Sequence, residues 1–310
     1  MPITQTDIDQ LVPELNEIVG LHNSANPDFP LKTFPEHRRT IFLRTRRELE
    51  DLLEMDFKNT CALFHREGGK IYLLEDNFED EIDLIESSKA FNKKLFDHIK
   101  KARLALLNLI MHENGHRSCR LVTEPNYIRD FYLDAAIDLY KDKRKNLSIS
   151  RRLKESKDAH GKMQTNGLRV QFAHPEGKYL VGFDDMDELV NIWFTSQALS
   201  NFLCFKDYIQ EPELMLTLLL SIRSFAKHMK VTEKTELDAL GTLIQHPQYK
   251  LFMKDYISGA ISKRICETGQ ESGIISDEAE GALFAQLIGS LNFFREMMAL
   301  YDSDPKSKPR

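Results

Sequence analysis

Two histidines and a glutamate at the end of an apolar segment most constrain how this chain can fold. The segment Leu106–Met111 runs directly into the pattern H-E-x-x-H, which occupies residues 112–116. Residues four apart on a helix differ by about 40° in azimuth, since each residue advances by about 100°. The pattern therefore predicts a helix from which the imidazoles of His112 and His116 leave on one face and can hold one ion.

The residue types in this pattern indicate zinc chemistry. Zinc accepts neutral imidazole and carboxylate ligands, and a catalytic zinc site keeps one position for water. Glu113 follows the first histidine directly and can take a proton from such a water as general base. We therefore expect a hydrolase with one catalytic Zn²⁺ ion, His112 and His116 as metal ligands, and Glu113 as the catalytic residue.

The composition is that of a soluble globular protein without a membrane span. The 310 residues are 42% hydrophobic and 29% charged, which suits one large domain or two ordinary ones. The net charge of −6 argues against nucleic acid as the principal partner, because phosphate binding needs a basic surface. The strongly apolar run Leu214–Leu220 is far shorter than the roughly 20 residues of a membrane span.

The termini and cysteines bear on the compartment. The N-terminal residues lack the basic and apolar regions of a signal peptide. The cysteines form no C-x-x-C pair, which favours reduced thiols over a disulfide framework; they are Cys61, Cys119, Cys204 and Cys266. We expect a cytoplasmic protein, or one that is exported without a signal peptide.

Ahead of the motif, the chain reads as a β-α start followed by a hairpin. Two apolar runs flank Gly68-Gly69, and a glycine pair supplies the positive φ angles that a tight hairpin turn needs. A long helix with a periodic apolar stripe leads into the motif. The predicted elements are a helix at Ile8–Val19, a strand at Thr40–Leu43, a helix at Arg46–Met55, strands at Cys61–His65 and Lys70–Leu74, and a helix at Ser88–Arg117.

This order of elements, with G-K-I-Y-L in the last hairpin strand and H-E-x-G-H at the helix end, resembles the zincin metallopeptidase domain. The resemblance covers about residues 40–117. It implies an α+β fold, in which a small mixed sheet with an edge hairpin and the H-E-x-x-H helix precedes a mainly helical C-terminal part. In zincins the edge strand beside the motif helix binds peptide as an added β-strand. The resemblance implies that Ile71–Leu74 is this strand.

A zincin site needs a third protein ligand, and the metzincin continuation of the motif is absent. Glu124 lies beside Pro125 in a predicted turn after the motif helix. Asp130 and Asp134 lie one turn apart on a predicted helix, where one could bind the ion and the other orient a ligand. Glu188 is the remaining candidate and the one we prefer.

The segment around Glu188 resembles the zinc-binding helix of bacterial gluzincin-like peptidases. There a hairpin precedes the helix start N/D-E-G/A-x-T-E, whose first glutamate binds zinc; here Leu168–Phe172 and Lys178–Val181 predict such a hairpin. An ordinary acidic first turn, stabilised by the helix dipole, is the alternative. The chain departs from the pattern at Leu189, Asn191 and Ile192, which stand for the small residue, Thr and the last Glu. These departures concern the surroundings of the ligand more than the ligand itself.

Between these candidates lies a basic insertion at about residues 141–165. Its stretch 141–157 holds eight basic residues and two acidic ones, and such runs are mostly solvated loops. Beside a cleft, the stretch would favour acidic substrate segments. Candidates for stabilising the transition state in this part of the chain are His160, His174, Tyr127, Tyr132 and Tyr179.

The predicted organisation has four parts. An N-terminal helix and linker occupy residues 1–39, a zincin-like core 40–195, a helical subdomain 196–301, and a disordered tail 302–310. The predicted function is zinc-dependent hydrolysis of peptide bonds in a protein or peptide substrate, and the architecture also resembles bacterial effector proteases that act inside another cell. The alternatives are a non-catalytic interaction protein on a degenerate zincin scaffold and a metal-dependent sensor.

Overall fold

The computed structural model describes residues 3–53, 57, 60–66, 68–78, 95–96, 99–120, 122–125, 154–155, 162–167, 169–173, 178–182, 184–209 and 247–260. The helices there are α1 (Gln5–Asp9), α2 (Val12–Ala25), α3 (Arg46–Leu53), α4 (Lys101–Ser118), α5 (Asp184–Phe205) and α6 (Tyr249–Ser258). The strands are β1 (Ile41–Arg44), β2 (Ala62–His65), β3 (Lys70–Leu74), β4 (Val122–Pro125), β5 (Lys154–Glu155), β6 (Lys162–Asn166), β7 (Arg169–Ala173) and β8 (Lys178–Gly182). The fold is α+β, as expected.

The chain divides into two compact units. The first comprises residues 1–118 and 191–230, and the second comprises residues 119–190 and 231–310. The domain limits expected from the sequence stay a prediction.

The first unit contains a three-stranded mixed sheet in the order β1-β3-β2. β1 runs parallel to β3, with Ile41 opposite Ile71, and β2 runs antiparallel to β3, with Ala62 opposite Leu73. The predicted β2–β3 hairpin is confirmed, and Gly69 takes a φ of 59° in its turn, where a side chain would be strained. The expectation that Ile71–Leu74 is an edge strand is wrong, because β3 is hydrogen-bonded on both sides and β2 forms the edge.

The outer edge of β1 is paired with a side chain. Gln5 Nε2 donates to the carbonyl oxygen of Ile41 over 3.1 Å, and the backbone N–H of Leu43 donates to Gln5 Oε1 over 2.9 Å. One amide side chain thus makes the pair of bonds that a neighbouring strand would make. The edge of β1 is therefore already occupied at its centre.

The sheet is held by a small apolar cluster in which α3 packs on the strands. Leu49, Phe57, Tyr72 and Leu74 are at most 4% exposed, and Phe42, Leu53 and Leu63 pack against them. Helix α4 lies against β2 and β3. The hairpin is thereby fixed beside the helix that carries the histidine motif.

The predicted N-terminal helix is divided into α1 and α2. Pro13 lies in the first turn of α2, and α1 ends at Asp9, four residues earlier. A proline inside a helix lacks the donor N–H and clashes with the carbonyl four residues before it, so the chain turns between the two helices. Thr4 caps α1 and donates to the carboxylate of Asp7, which lowers the pKa of Asp7.

Helix α4 begins later than the apolar periodicity predicts. The chain is not helical at Ile99 and Lys100, and α4 starts at Lys101; residues 79–94 lie outside the described ones. Leu95 and Ile99 are nevertheless buried, 2% and 3% exposed. The apolar periodicity thus continues through the non-helical residues Ile99 and Lys100. For this reason it does not indicate where α4 starts.

The second unit contains a five-stranded sheet in the order β4-β6-β7-β8-β5. The predicted β7–β8 hairpin is confirmed, with Phe172 opposite Leu180. The placement of Glu124 in a turn is wrong, because it lies within β4, opposite Met163 of β6. Lys154 and Glu155, from the basic stretch, form the edge strand β5. These pairings join segments far apart in the chain, which local sequence patterns do not reveal.

A buried cluster connects this sheet to helices α5 and α6 within the second unit. A methyl group on Gly167 would lie 2.3 Å from Asp187 Oδ1 and 2.5 Å from Tyr256 Cε2. Asp187 and Tyr256 are 1% and 0% exposed. Burial raises the pKa of Tyr256 well above its ordinary value, and the negative charge of the nearby Asp187 raises this pKa further. The β6–β7 turn therefore packs directly on the start of α5.

The part of the chain from residue 184 onward is mainly helical where it is described. Among the described residues, no helix combines the length and apolarity needed to cross a membrane.

Candidate metal centre

The motif lies in the last two turns of α4, where the helix is buried on most sides. Leu107, Ile110 and Met111 are at most 1% exposed. The rings of His112 and His116 lie 4.9 Å apart between centroids, at 88° to each other. Both imidazoles therefore leave one face of α4, as the spacing predicts.

Glu113 is the buried carboxylate of this site. The residue is 7% exposed, and its Oε1 lies 3.9 Å from His112 Nε2. The side chain of His112 is 19% exposed. A carboxylate is thus held beside a partly accessible imidazole nitrogen, which is the arrangement a general base next to a bound water needs.

The candidate third ligand comes from α5. His112, His116 and Glu188 each offer one ligand atom, and these atoms lie within 4.8 Å of one another. All three residues are half-buried, so water can reach them. Two neutral imidazoles and one carboxylate are a donor set that zinc accepts, and they leave a fourth position open. The residues present therefore fit a zinc ion.

Helix α5 is held to α4 through Asn191. Asn191 Nδ2 donates to the carbonyl oxygen of His112 over 2.8 Å and lies 3.2 Å from His112 Nδ1. Residues three apart on a helix are neighbours on one face. The contact therefore joins the motif helix to the turn of α5 that follows Glu188 in the chain.

The two helices approach closely because residue 115 has no side chain. A methyl group on Gly115 would lie 1.9 Å from Asn191 Oδ1 and 2.6 Å from Thr195 Cγ2. Real side chains do not approach so closely, so any larger residue would push Asn191 away. Gly115 thus makes room for the residue that contacts His112.

The C-terminal end of α4 is tied to the segment after α2. Asn114 Nδ2 donates to the carbonyl oxygen of Lys32 over 3.0 Å, and the backbone N–H of Lys32 donates to Ser118 Oγ over 2.8 Å. Arg117 donates to Asn114 Oδ1 and to the carbonyl oxygen of Thr33. Burial lowers the pKa of Arg117. The turn that carries His116 is therefore anchored to residues 32 and 33.

Several residues singled out from the sequence are not placed. Asp130 and Asp134, the alternative third ligands, lie outside the described residues, as do His160, His174, Tyr127 and Tyr132. Tyr179 lies in β8, and Glu124 lies in β4. Their proposed roles stay predictions.

The sequence interpretation missed what Gly115 and Asn191 do. In the sequence, Asn191 stands out only as a departure from the threonine of the gluzincin-like pattern. A usable signal was present, because a polar residue three positions after Glu188 must lie beside it on a helix face. Gly115 gave a weaker signal, since a glycine inside a helix often marks close packing.

Comparison with protein-family models, with curated proteins and with solved structures finds no match to this chain. The interpretation of the site therefore depends on its own geometry and chemistry.

Proposed function

We propose that this protein is a zinc-dependent peptidase. The observation that supports this most directly is the grouping of His112, His116 and Glu188 beside the buried carboxylate of Glu113. Three ligands with one open position distinguish the donor set of a catalytic zinc site from that of a closed structural one.

The chemistry divides between the ion and Glu113. A zinc ion bound here would lower the pKa of a water molecule and polarise a peptide carbonyl. Glu113 accepts the proton of the attacking water and delivers it to the leaving amine. Its burial keeps bulk water from competing for that proton, and its position next to His112 holds it at the reacting atoms.

The sheet supports a peptide as the substrate. A strand can be added only where backbone groups face outward, and among the described strands β2 and β1 are the two edges of the first sheet. The edge of β1 is occupied at its centre by Gln5. β2 lies against α4, so a peptide paired with β2 would run beside the helix that carries the histidine motif.

The register of β2 against β3 determines which backbone groups of β2 would face such a peptide. The N–H of Leu74 donates to the carbonyl oxygen of Cys61 over 2.9 Å, which marks a hydrogen-bonded pair. Such pairs alternate along antiparallel strands, so Leu63 points its N–H and C=O toward β3. Ala62 and Phe64 point theirs away from β3 and can receive an added strand.

A comparison of wild type with Glu113→Gln tests the proposal. Both proteins, loaded with zinc, are incubated with a proteome-derived peptide library, and new N-termini are identified by mass spectrometry. Gln cannot accept the proton, so we expect cleavage products from wild type only. Glu36→Gln, an exposed position outside the site, is the matched control and should cleave like wild type.

Two results would contradict the proposal. Wild type that purifies without stoichiometric zinc and fails to take it up lacks the metal centre. Wild type that binds zinc but gives the same fragment profile as Glu113→Gln has a metal centre without peptidase activity, which is the sensor alternative.

A further inference from the structure

We propose that Gly167 and Tyr256 are positioning residues for Glu188, and that they act by holding Asp187, its neighbour in the chain, in one place. The inference rests on the proposed metal centre, in which Glu188 is the third ligand, but not on peptidase activity. It concerns how the protein fixes the direction in which this ligand leaves helix α5.

The first step is the turn between β6 and β7. Asn166 of β6 pairs with Arg169 of β7, so only two residues join the strands. A hairpin connection of two residues needs a positive φ at its first position, and Gly167 has a φ of 65°. Because Gly167 has no side chain, it also leaves space beside the turn.

The second step is what fills this space. A methyl carbon on Gly167 would lie 2.3 Å from Asp187 Oδ1 and 2.5 Å from Tyr256 Cε2. Asp187 is 1% exposed and Tyr256 is 0% exposed. The β6–β7 turn, the first turn of α5 and the last turn of α6 therefore meet at one point that water does not reach.

The third step is the choice of a carboxylate for this point. Removing an ionised carboxylate from water costs free energy, and an apolar side chain would fill the same space at a lower cost. The N-terminal end of α5 reduces this cost for Asp187, because a helix dipole favours negative charge there. A buried carboxylate between the turn and the Tyr256 ring has little room to move. We take its position, rather than stability, to be what the protein gains.

The fourth step is the consequence for Glu188. Successive residues of a helix advance by about 100° around its axis. When Asp187 is held against the β6–β7 turn, the direction of Glu188 is fixed as well. The first turn of a helix lacks intrahelical partners for its N–H groups and frays, so a metal ligand there needs outside support. A tetrahedral zinc site accepts its ligands only within a narrow range of distances, so this support should affect zinc affinity.

The zinc affinity of a matched pair of glycine variants tests the proposal. Zn²⁺ is titrated into metal-free protein in competition with a chromophoric chelator, under conditions in which each variant is folded. Gly167→Ala displaces Asp187 and should bind zinc about 10- to 100-fold more weakly than wild type. Gly69→Ala is the control, because Gly69 also lies in a hairpin turn, has a φ of 59°, and has nothing within 4 Å of an added carbon.

Both alanines are strained at a positive φ, so both variants should unfold at a lower temperature than wild type. Only Gly167→Ala should lose zinc affinity. If Gly167→Ala binds zinc as tightly as wild type, the cluster has a structural role alone and the proposal is wrong. If both variants lose zinc affinity equally, the cause is backbone strain, and the proposal is again wrong.

A double variant tests whether the effect passes through Glu188. In Glu188→Gln the carboxylate ligand is already lost, so its direction no longer matters. Adding Gly167→Ala to Glu188→Gln should therefore cause little further loss of zinc affinity. If Gly167→Ala weakens zinc binding by the same factor with and without Glu188→Gln, it acts by another route, which contradicts the proposal.

A second pair of variants keeps the proposal testable if Gly167→Ala fails to fold. Tyr256→Leu removes ring atoms beside Asp187 without straining the backbone, and should weaken zinc binding in the same direction. Phe252→Leu is the control, because Phe252 is equally buried one turn earlier on α6 and its ring stacks on that of Tyr256. Phe252→Leu should lower the unfolding temperature and keep the zinc affinity of wild type. Equal zinc affinity in the two leucine variants contradicts the role of Tyr256.

Failure of this inference differs from failure of the proposed function. Wild type that binds no zinc contradicts the metal centre itself. Wild type that binds zinc, together with Gly167→Ala and Tyr256→Leu variants of unchanged zinc affinity, contradicts only the positioning of Glu188 through Asp187.

Discussion

A methyl group on Gly115 would lie 1.9 Å from Asn191 Oδ1, closer than any two unbonded heavy atoms can approach. This relationship shows that the second variable position of the histidine motif is set by packing against α5. It also shows why the contact between Asn191 and His112 can form at all.

Gly115→Ala should destabilise the protein although alanine favours a helix. In an exposed helix, replacing glycine by alanine stabilises by about 0.5–1 kcal/mol. Overpacking typically costs about 1–3 kcal/mol, and here it exceeds that gain. Gly20→Ala on α2 is the control, because nothing lies within 4 Å of its added carbon. Urea unfolding should show a lower free energy of unfolding for Gly115→Ala and a higher one for Gly20→Ala. A change of the same sign in both variants would show that the close contact at Gly115 does not determine the effect.

Glu188→Gln should reduce the stabilisation of the protein by zinc. A ligand at 100 times its Kd stabilises by about 2.7 kcal/mol, and at a Kd weakened about 100-fold the same concentration gives about 0.4 kcal/mol. Thermal unfolding with and without zinc measures the difference. Asp130→Asn and Asp134→Asn should keep the full effect. A loss in either of them, with Glu188→Gln unchanged, would assign the third ligand to that aspartate.

Ala62→Pro should weaken substrate binding without unfolding the sheet. The N–H of Ala62 faces away from β3, so proline removes a donor only from the open edge. One lost hydrogen bond of about 1–1.5 kcal/mol corresponds to a fall in kcat/KM of about 5- to 13-fold, carried by KM. Leu63→Pro removes a bond to β3 and should instead lower the unfolding temperature. Unchanged KM in a stable Ala62→Pro protein would exclude strand addition at β2.

The buried His22 should make stability depend on pH. It is 2% exposed, lies against Phe29 and Phe194, and Nε2 lies 3.3 Å from the carbonyl oxygen of Phe29. Burial lowers its pKa, although the bond to Phe29 opposes this. The unfolded chain binds a proton near pH 6.5, where folded His22 stays neutral, so stability is full above that pH and falls below it.

The loss cannot exceed about 1.4 kcal/mol per pH unit for one group. Urea unfolding of wild type and His22→Gln at pH 7.5 and 5.5 measures it. The difference in unfolding free energy between the two proteins should shrink at the lower pH. A difference independent of pH would show that His22 does not titrate in this range.

Local patterns in the sequence predicted the local parts of the structure. Spacing alone determines that His112 and His116 share a helix face, and the glycine pair at Gly68 and Gly69 determines the hairpin turn. The strand at Ile41 and the hairpin β7–β8 follow from short apolar and alternating runs. Each depends on neighbours within a few residues.

Other features depend on contacts between distant segments. The order β1-β3-β2 requires residues 41–44 to pair with residues 71–74, which no local pattern encodes. Because β1 pairs with β3, β3 lies between the other two strands and β2, rather than β3, is at the edge. The contact of Asn191 with His112 joins residues 79 positions apart, and only the space above Gly115 makes it available. The sequence did not predict this contact, because it too joins segments that are far apart in the chain.

The anchoring of Asn114 and the bare backbone of Gly115 also bear on how such sites are recognised in sequences. A pattern search accepts any residue at these two positions. Here, however, Asn114 donates to the carbonyl oxygen of Lys32, and Gly115 leaves space for Asn191. In homologous chains we expect positions 115 and 191 to covary, with a larger residue at 115 accompanied by a smaller one at 191. Each of the five residues of the motif in this protein therefore has a role in the site or in its packing.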